Sequence, residues 1–274
     1  TPKLFIGGRQ ARPDSGYSRV VHAPDGRRLG EVGEGNRKDV RNAVAAAVQA
    51  AGWARATAHN RAQILYYVAE NLAARGGEFA RRLDDMTGRS TGDAEVDAAV
   101  RRLFTYAAWA DKYDGAVHAV PIRGVALAMH EPIGVMGIVC PATAPLLGLV
   151  SLLAPAIAMG NTVVVVPSEP HPLSATDFYS VLETSDLPAG VVNIVTGDAD
   201  ALAGVLAGHD EVDALWYFGR HEGAASVERL SATNMKRTWT DWRGRDWMDA
   251  EQGEGREFLR HATQVKNVWV PYGE

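Results

Sequence analysis

Thiols are the scarcest chemistry in this sequence: its 274 residues carry one cysteine, Cys140. One cysteine excludes an internal disulfide framework and suits a reducing compartment, so a cytoplasmic location is expected. Long apolar runs are missing as well. No stretch reaches the roughly 18 consecutive apolar residues of a membrane span, and no charged-then-apolar leader opens the chain. Neither charge sign dominates. A formal net charge of −5 and a pI near 5.9 argue against nucleic acid or an anionic membrane as partner. The eight histidines are scattered, with no H-x3-H or C-x2-C spacing, so no metal site is expected. The first residue is Thr1 rather than Met, which fits a processed start or a piece of a longer polypeptide.

What the chain does have is apolar patterning. Hydrophobic residues make up 46% of it, enough to bury a sizeable core. The density peaks between Glu131 and Pro170, in EPIGVMGIVCPATAPLLGLVSLLAPAIAMGNTVVVVPSEP. Gly134 to Cys140 is a short apolar run ended by Pro141, as in a buried strand. Pro145 to Met159 is apolar over a helix length, Gly160-Asn161 stops it, and Thr162 to Val166 is a β-branched run closed by Pro167. Strand, helix, stop and strand make a βαβ unit. Both strands are apolar throughout, as parallel strands covered on two faces are.

Upstream, short runs and turn residues such as Pro24-Asp25-Gly26 predict an irregular, strand-rich start up to Gly33. Val40, Val44, Ala47 and Val48 then recur at helical spacing, and Asn60 to Arg75, Gly77 to Met86 and Asp93 to Tyr113 predict three more helices. Gly115 to Pro132 reads as a hairpin, with weak alternation that leaves His118 and His130 unassigned to a face. Downstream, helices at Pro172–Thr184, Asp198–Ala207 and His221–Leu230 alternate with strands at Val191–Val195 and Val212–Phe218. The order predicts an α/β fold built on a doubly wound parallel sheet.

EPIGVMGIVCPATAP and APAIAMGNTVVVVPSEPHPLSA resemble the NAD(P)-dependent aldehyde dehydrogenases, which carry EP-x-G-V-x-G-x-I-x-P-W-N-F-P and then A-P-A-L-A-x-G-N-T-V-V-x-K-P-S-E. LPAGVVNIVTGDADAL and HDEVDALWYFG extend the likeness to about residue 230, and the terminal run QVKNVWVP matches a last strand. The resemblance implies a Rossmann-like dinucleotide-binding domain over residues 1–230. It also implies an oligomerisation flap made of the hairpin 115–132 and the C-terminal strand 263–274. Self-association, or docking onto a dehydrogenase domain, would run through 115–132 and 264–274. Residues 231–262 would be a connector where the family places a catalytic domain, so a block of about 100 to 200 residues is absent. Within the family, the chain looks like the truncated second copy in family 16 aldehyde dehydrogenases.

The departures from the family pattern bear on function. Cys140 ends a buried strand with no cation near it in sequence, so it reads as a small hydrophobe, and no catalytic residue is expected. P-W-N-F-P becomes Pro141-Ala142-Thr143-Ala144-Pro145, which puts Thr143 at the oxyanion donor's position. Losing one such donor costs about 10²- to 10³-fold, whereas losing the nucleophile removes the covalent route. The K-P-S-E lysine becomes Val166, although Glu169 remains. The FTGS serine becomes Arg220, in Tyr217-Phe218-Gly219-Arg220. Glu169, Gly219 and Arg220 are therefore the residual cofactor-binding set, with Arg220 free to pair with phosphate or with Glu169 or Glu222. No tightly held cofactor is expected; NAD would bind weakly.

Asp84, Asp85, Asp93, Glu95 and Asp97 read as solvated helix ends rather than a metal site. Lys236, Arg237, Arg243 and Arg245 interleave with Trp239, Trp242 and Trp247, but Asp241, Asp246, Asp249 and Glu251 cancel the charge. The tryptophans are expected to pack over surface left by the missing domain, or else to form a partner-binding patch. The resulting expectation is a non-catalytic, structural or oligomerising member of a larger NAD-dependent chain. An active aldehyde oxidoreductase and a nucleotide-sensing module are the alternatives.

Overall fold

The computed structural model describes residues 2–121 and 123–272. Ile122 in the predicted hairpin, and Gly273 and Glu274 in the predicted terminal strand, lie outside the described residues. Strands β1 (Leu4–Ile6) and β2 (Arg9–Ala11) and the hairpin β3 (Ser18–His22)–β4 (Arg28–Gly33) come first. Helices α1 (Arg37–Gln49), α2 (Ala58–Ala74), α3 (Gly76–Thr87) and α4 (Gly92–Trp109) follow, then β5 (Gly115–His118) and β6 (Val125–Pro132). The alternating half holds β7 (Val135–Val139), α5 (Leu147–Ala158), β8 (Thr162–Val166), α6 (Leu173–Glu183), β9 (Val192–Ile194), α7 (Ala199–Ala207), β10 (Ala214–Tyr217) and α8 (His221–Leu230). The chain closes with β11 (Arg237–Thr240), short helices α9 (Ala250–Gly253) and α10 (Arg256–His261), and β12 (Thr263–Val270).

The main sheet runs β11-β10-β7-β8-β9-β1-β2. Its first five strands are parallel, while β1 and β2 join antiparallel and make the sheet mixed at one edge. All five residues of β7 and of β8 are buried, as runs without a polar alternation require. Helix α5 is buried along all 12 of its residues, so even Pro155, which cannot donate a backbone bond, sits inside it. Each large apolar side chain buried there contributes about 1.5–3 kcal/mol.

A single amide organises the far end of this layer. Asn161 is fully buried; its Oδ1 accepts from Ile133 N (2.7 Å) and Gly134 N (3.0 Å), and its Nδ2 donates to Ala156 O (2.9 Å) and Ala262 O (2.8 Å). It thereby holds the entry to β7, the end of α5 and the entry to β12 together. Gly160, at φ +91°, supplies the left-handed turn that ends the helix just before it.

The stretch 231–262 is more than a connector. Within it β11 pairs in parallel with β10, Ala214 opposite Arg237 through Tyr217 opposite Thr240, and extends the sheet by a strand. Trp239 and Trp247 are buried over Phe218 and Phe258, whereas Trp242 is 46% exposed and packs against His221 instead. Two arginines pin this region. The buried Arg102 of α4 donates to Ser151 Oγ (2.5 Å) and Trp247 O (2.9 Å) and pairs with Glu254 (3.3 Å). Arg245 lies 5.2–5.7 Å from the ring centroids of Trp239, Phe258 and Phe218 while pairing with Asp241 (2.7 Å) and Glu257 (2.8 Å).

A separate three-stranded sheet, β12-β6-β5, joins the C-terminal strand to the hairpin antiparallel, with Thr263 opposite Pro132 and Val270 opposite Val125. Its outer strand β5 is exposed throughout. His118 lies exposed there, and His130 stacks on Tyr113 at 4.1 Å. Among the described residues, no helix is long and apolar enough to cross a membrane.

Candidate functional site

Parallel α/β sheets open a crevice beyond the carboxyl ends of their strands. Here β7 ends at Val139, β8 at Val166 and β10 at Tyr217, and the residues that follow them line a small cavity of about 130 Å³. Glu169, Gly219 and Arg220 all line it, so the three residues singled out from the sequence meet at one place. A neighbouring cavity of about 210 Å³ shares Ala142 and Gly219 and is walled by Thr143, Trp242 and Arg245.

The chemistry of this crevice differs from the sequence expectation in its pairing. Arg220 bonds neither Glu169 nor Glu222; its guanidinium pairs with Asp200, in the first turn of α7. The Tyr217 hydroxyl donates to the same carboxylate (2.6 Å) and accepts the Arg220 backbone N–H (3.1 Å). Glu169 is engaged too, its carboxylate accepting from Ala199 N (3.0 Å) at the head of α7. Asp198 caps the same helix through Ala201 N (2.8 Å). Burial alone would raise the Asp200 pKa, but the hydrogen bond from Tyr217 and the Arg220 charge outweigh it and hold the carboxyl below its ordinary value. Burial and the Asp200 neighbour push the Tyr217 phenol up. Its ring sits tight under the turn: a Cβ at Gly223 would lie 1.8 Å from the hydroxyl.

Sequence reasoning missed Asp200 and Tyr217. One signal was present for each. Asp198 and Asp200 stand together at the start of a predicted helix, and Tyr217 adds a hydroxyl where the family pattern has phenylalanine.

Cys140 is 5% exposed, and burial pushes its thiol pKa up, away from the thiolate form. Thr143 is exposed on the turn after β7, next to Ala144, which takes the left-handed φ of 49°. Val166 is fully buried. Glu95 corrects the reading of the acidic cluster as solvated: it is 8% exposed, and its Oε1 accepts from Leu146 N (2.9 Å) and Leu147 N (3.1 Å) at the head of α5. Burial raises its pKa despite those two bonds. Asp84 likewise accepts from Thr91 N (3.0 Å) and Gly92 N (2.8 Å) at the head of α4. Among the described residues, no group of three or more metal-ligating side chains converges.

The comparisons with known proteins agree with this architecture. The aldehyde dehydrogenase family model matches residues 11–248. Rat retinaldehyde dehydrogenase 3 is 33% identical over 254 residues, covering 89% of this chain and 49% of the relative. Human aldehyde dehydrogenase 1A1 is 32% identical over 277 residues, or 95% of this chain and 55% of the relative. A crystal structure of Staphylococcus aureus betaine aldehyde dehydrogenase in complex with NAD+ superposes with a TM-score of 0.84 at 26% identity, covering 88% of this chain and 50% of that one. Indole-3-acetaldehyde dehydrogenase in its apo form gives 0.84 at 29% identity, covering 89% and 60%. The chain thus spans about half the length of the curated relatives it matches, and it belongs to the aldehyde dehydrogenase family.

Proposed function

We propose that this chain is a non-catalytic aldehyde dehydrogenase-like unit whose role is architectural, within a larger NAD-dependent dehydrogenase assembly. The observation that carries the reading is the state of Cys140. Aldehyde oxidation by covalent catalysis needs a thiolate that can reach a carbonyl carbon. The sequence holds one thiol; it sits just past the end of β7 at the wall of the crevice, 5% exposed, and burial suppresses its ionisation. Thr143 stands where the resemblance expects an asparagine donor, which weakens the oxyanion side as well. A reduced-nicotinamide absorbance assay over a panel of aldehydes, run on the parent and on Cys140→Ser, tests this. No thiol-dependent turnover is expected; turnover that vanishes in the serine variant overturns the reading.

The assembly role draws on the flap. Its three strands leave the open edge of β5 and the side chains of Val117, Val265 and Trp269 in solvent. A three-stranded sheet with an open edge and exposed apolar residues is a surface that proteins cover. The cover proposed is a second copy or a complete dehydrogenase subunit. Deleting residues 264–274 removes β12 from β6, and light scattering should then report a fall from the parent's oligomeric mass to that of one chain. A parent that already runs as one chain, or an oligomer unchanged by the deletion, ends the self-association reading.

A further inference from the structure

The heads of α7 and α8 flank the crevice, and helix heads ordinarily attract phosphate because their first N–H groups lack partners and carry partial positive charge. In this chain several donors around the crevice are already in use, although α8 has no side-chain cap. Ala199 N goes to Glu169, Ala201 N to Asp198 and Arg220 N to the Tyr217 hydroxyl. With Asp200 in the first turn, three carboxylates surround the head of α7. The guanidinium that could offset them is tied to Asp200.

We propose that Tyr217, Asp200 and Arg220 form a latch that bars diphosphate-bearing ligands from this crevice, by supplying from within the chain the oxygens such a ligand would bring. The inference rests on the non-catalytic reading and adds its cause: the crevice is closed by specific polar contacts, not by general decay. Tyr217 is the residue that sets it. Its side chain is 1% exposed and cannot swing out without leaving the core, so its hydroxyl holds Asp200 across the space between the two helices. Arg220 is a weaker part, because its side chain is 78% exposed and its ion pair is open to water and salt. The latch is therefore built from the inside outwards. Removing the arginine alone leaves the carboxylate in place, whereas removing the hydroxyl and the carboxylate frees the Arg220 N–H and takes one negative charge from the head of α7.

The test uses the intact chain with ADP and NAD as separate probes, read by isothermal titration calorimetry and by the melting temperature. The variants are Arg220→Ser and the triple change Tyr217→Phe, Asp200→Ala, Arg220→Ser. Tyr217→Phe keeps the ring that fills the core, and the other two side chains lie at the surface of the crevice. Circular dichroism of each variant without ligand confirms folding. Should the triple variant unfold, Tyr217→Phe with Asp200→Ala takes its place and is read in the same way. The parent should give no saturable heat and no melting shift with either probe. Arg220→Ser should change this little, while the folded triple variant should bind ADP at least about tenfold more tightly than either. A folded triple variant that stays silent overturns the latch but leaves the non-catalytic reading standing. A parent that binds as tightly as the triple variant overturns the latch and removes the closed-crevice support from that reading as well.

Discussion

Helix α5 and the 231–262 segment both lie against the main sheet, and they are held by opposite means. Along α5 every side chain but Ser151 is apolar, and polar groups reach the helix only at Ser151 and at its backbone ends. In the later segment β11 buries only Trp239 of its four residues, and Arg102 and Arg245 add charge, hydrogen bonds and aromatic faces to the packing of Trp247, Phe258 and Leu259. Apolar packing is non-directional: it asks for volume and tolerates exchange of one hydrophobe for another of like size. The second kind of fastening is directional, and each group fails if its partner moves by an ångström or two. Two stretches joined to the same sheet therefore differ in what they can tolerate.

Mutation can break that comparison, and the largest effect is expected where the apolar layer depends on its one polar clasp. Asn161→Ala leaves the Ile133 and Gly134 N–H groups and the Ala262 carbonyl without their partner, while Ala156 O keeps the backbone N–H of residue 161. A loss of about 3–5 kcal/mol is expected from urea denaturation, whereas Leu152→Met in the same layer should cost less than about 1.5 kcal/mol. Equal costs for the two would show that the clasp adds nothing beyond volume. Next is Arg102→Met, which keeps the stem's bulk but strands Trp247 O and the Glu254 carboxylate, while Ser151 Oγ keeps its bond to Leu147 O. A loss of about 2–3 kcal/mol is expected, with the change in tryptophan emission preceding the loss of helical circular dichroism. Coincident transitions would mean that the segment is not fastened separately.

The smallest effect sharpens the comparison at the head of α5, where Glu95 is the charged residue in apolar surroundings. Burial raises its carboxyl above the ordinary value of 4.5. The folded chain therefore holds that proton more tightly than the unfolded one. The stabilising contribution is complete below 4.5 and fades as pH rises through the folded value. Glu95→Gln keeps an oxygen for both amides but cannot ionise, so it removes the fade. Relative to the parent, the variant should gain stability on going from acid to neutral pH, because only the parent has a proton to lose there. Parallel pH profiles of the two proteins would show that Glu95 is not desolvated.

The family resemblance picked out Glu169, Gly219 and Arg220, and the amino-acid sequence by itself determined the buried βαβ unit and the order of helices and strands after it. Periodicity carries that information, because residues 2 or 3.6 positions apart share a face and burial sorts them. Only the tertiary structure decided the rest. It gave Arg220 the partner Asp200 rather than Glu169 or Glu222, buried Glu95 out of an acidic cluster, made a sheet strand of Arg237–Thr240, and left Trp242 outside while Trp239 and Trp247 went in. Pairing between polar groups distant in sequence depends on distances of an ångström, which the folded backbone sets and the pattern of residue types does not encode.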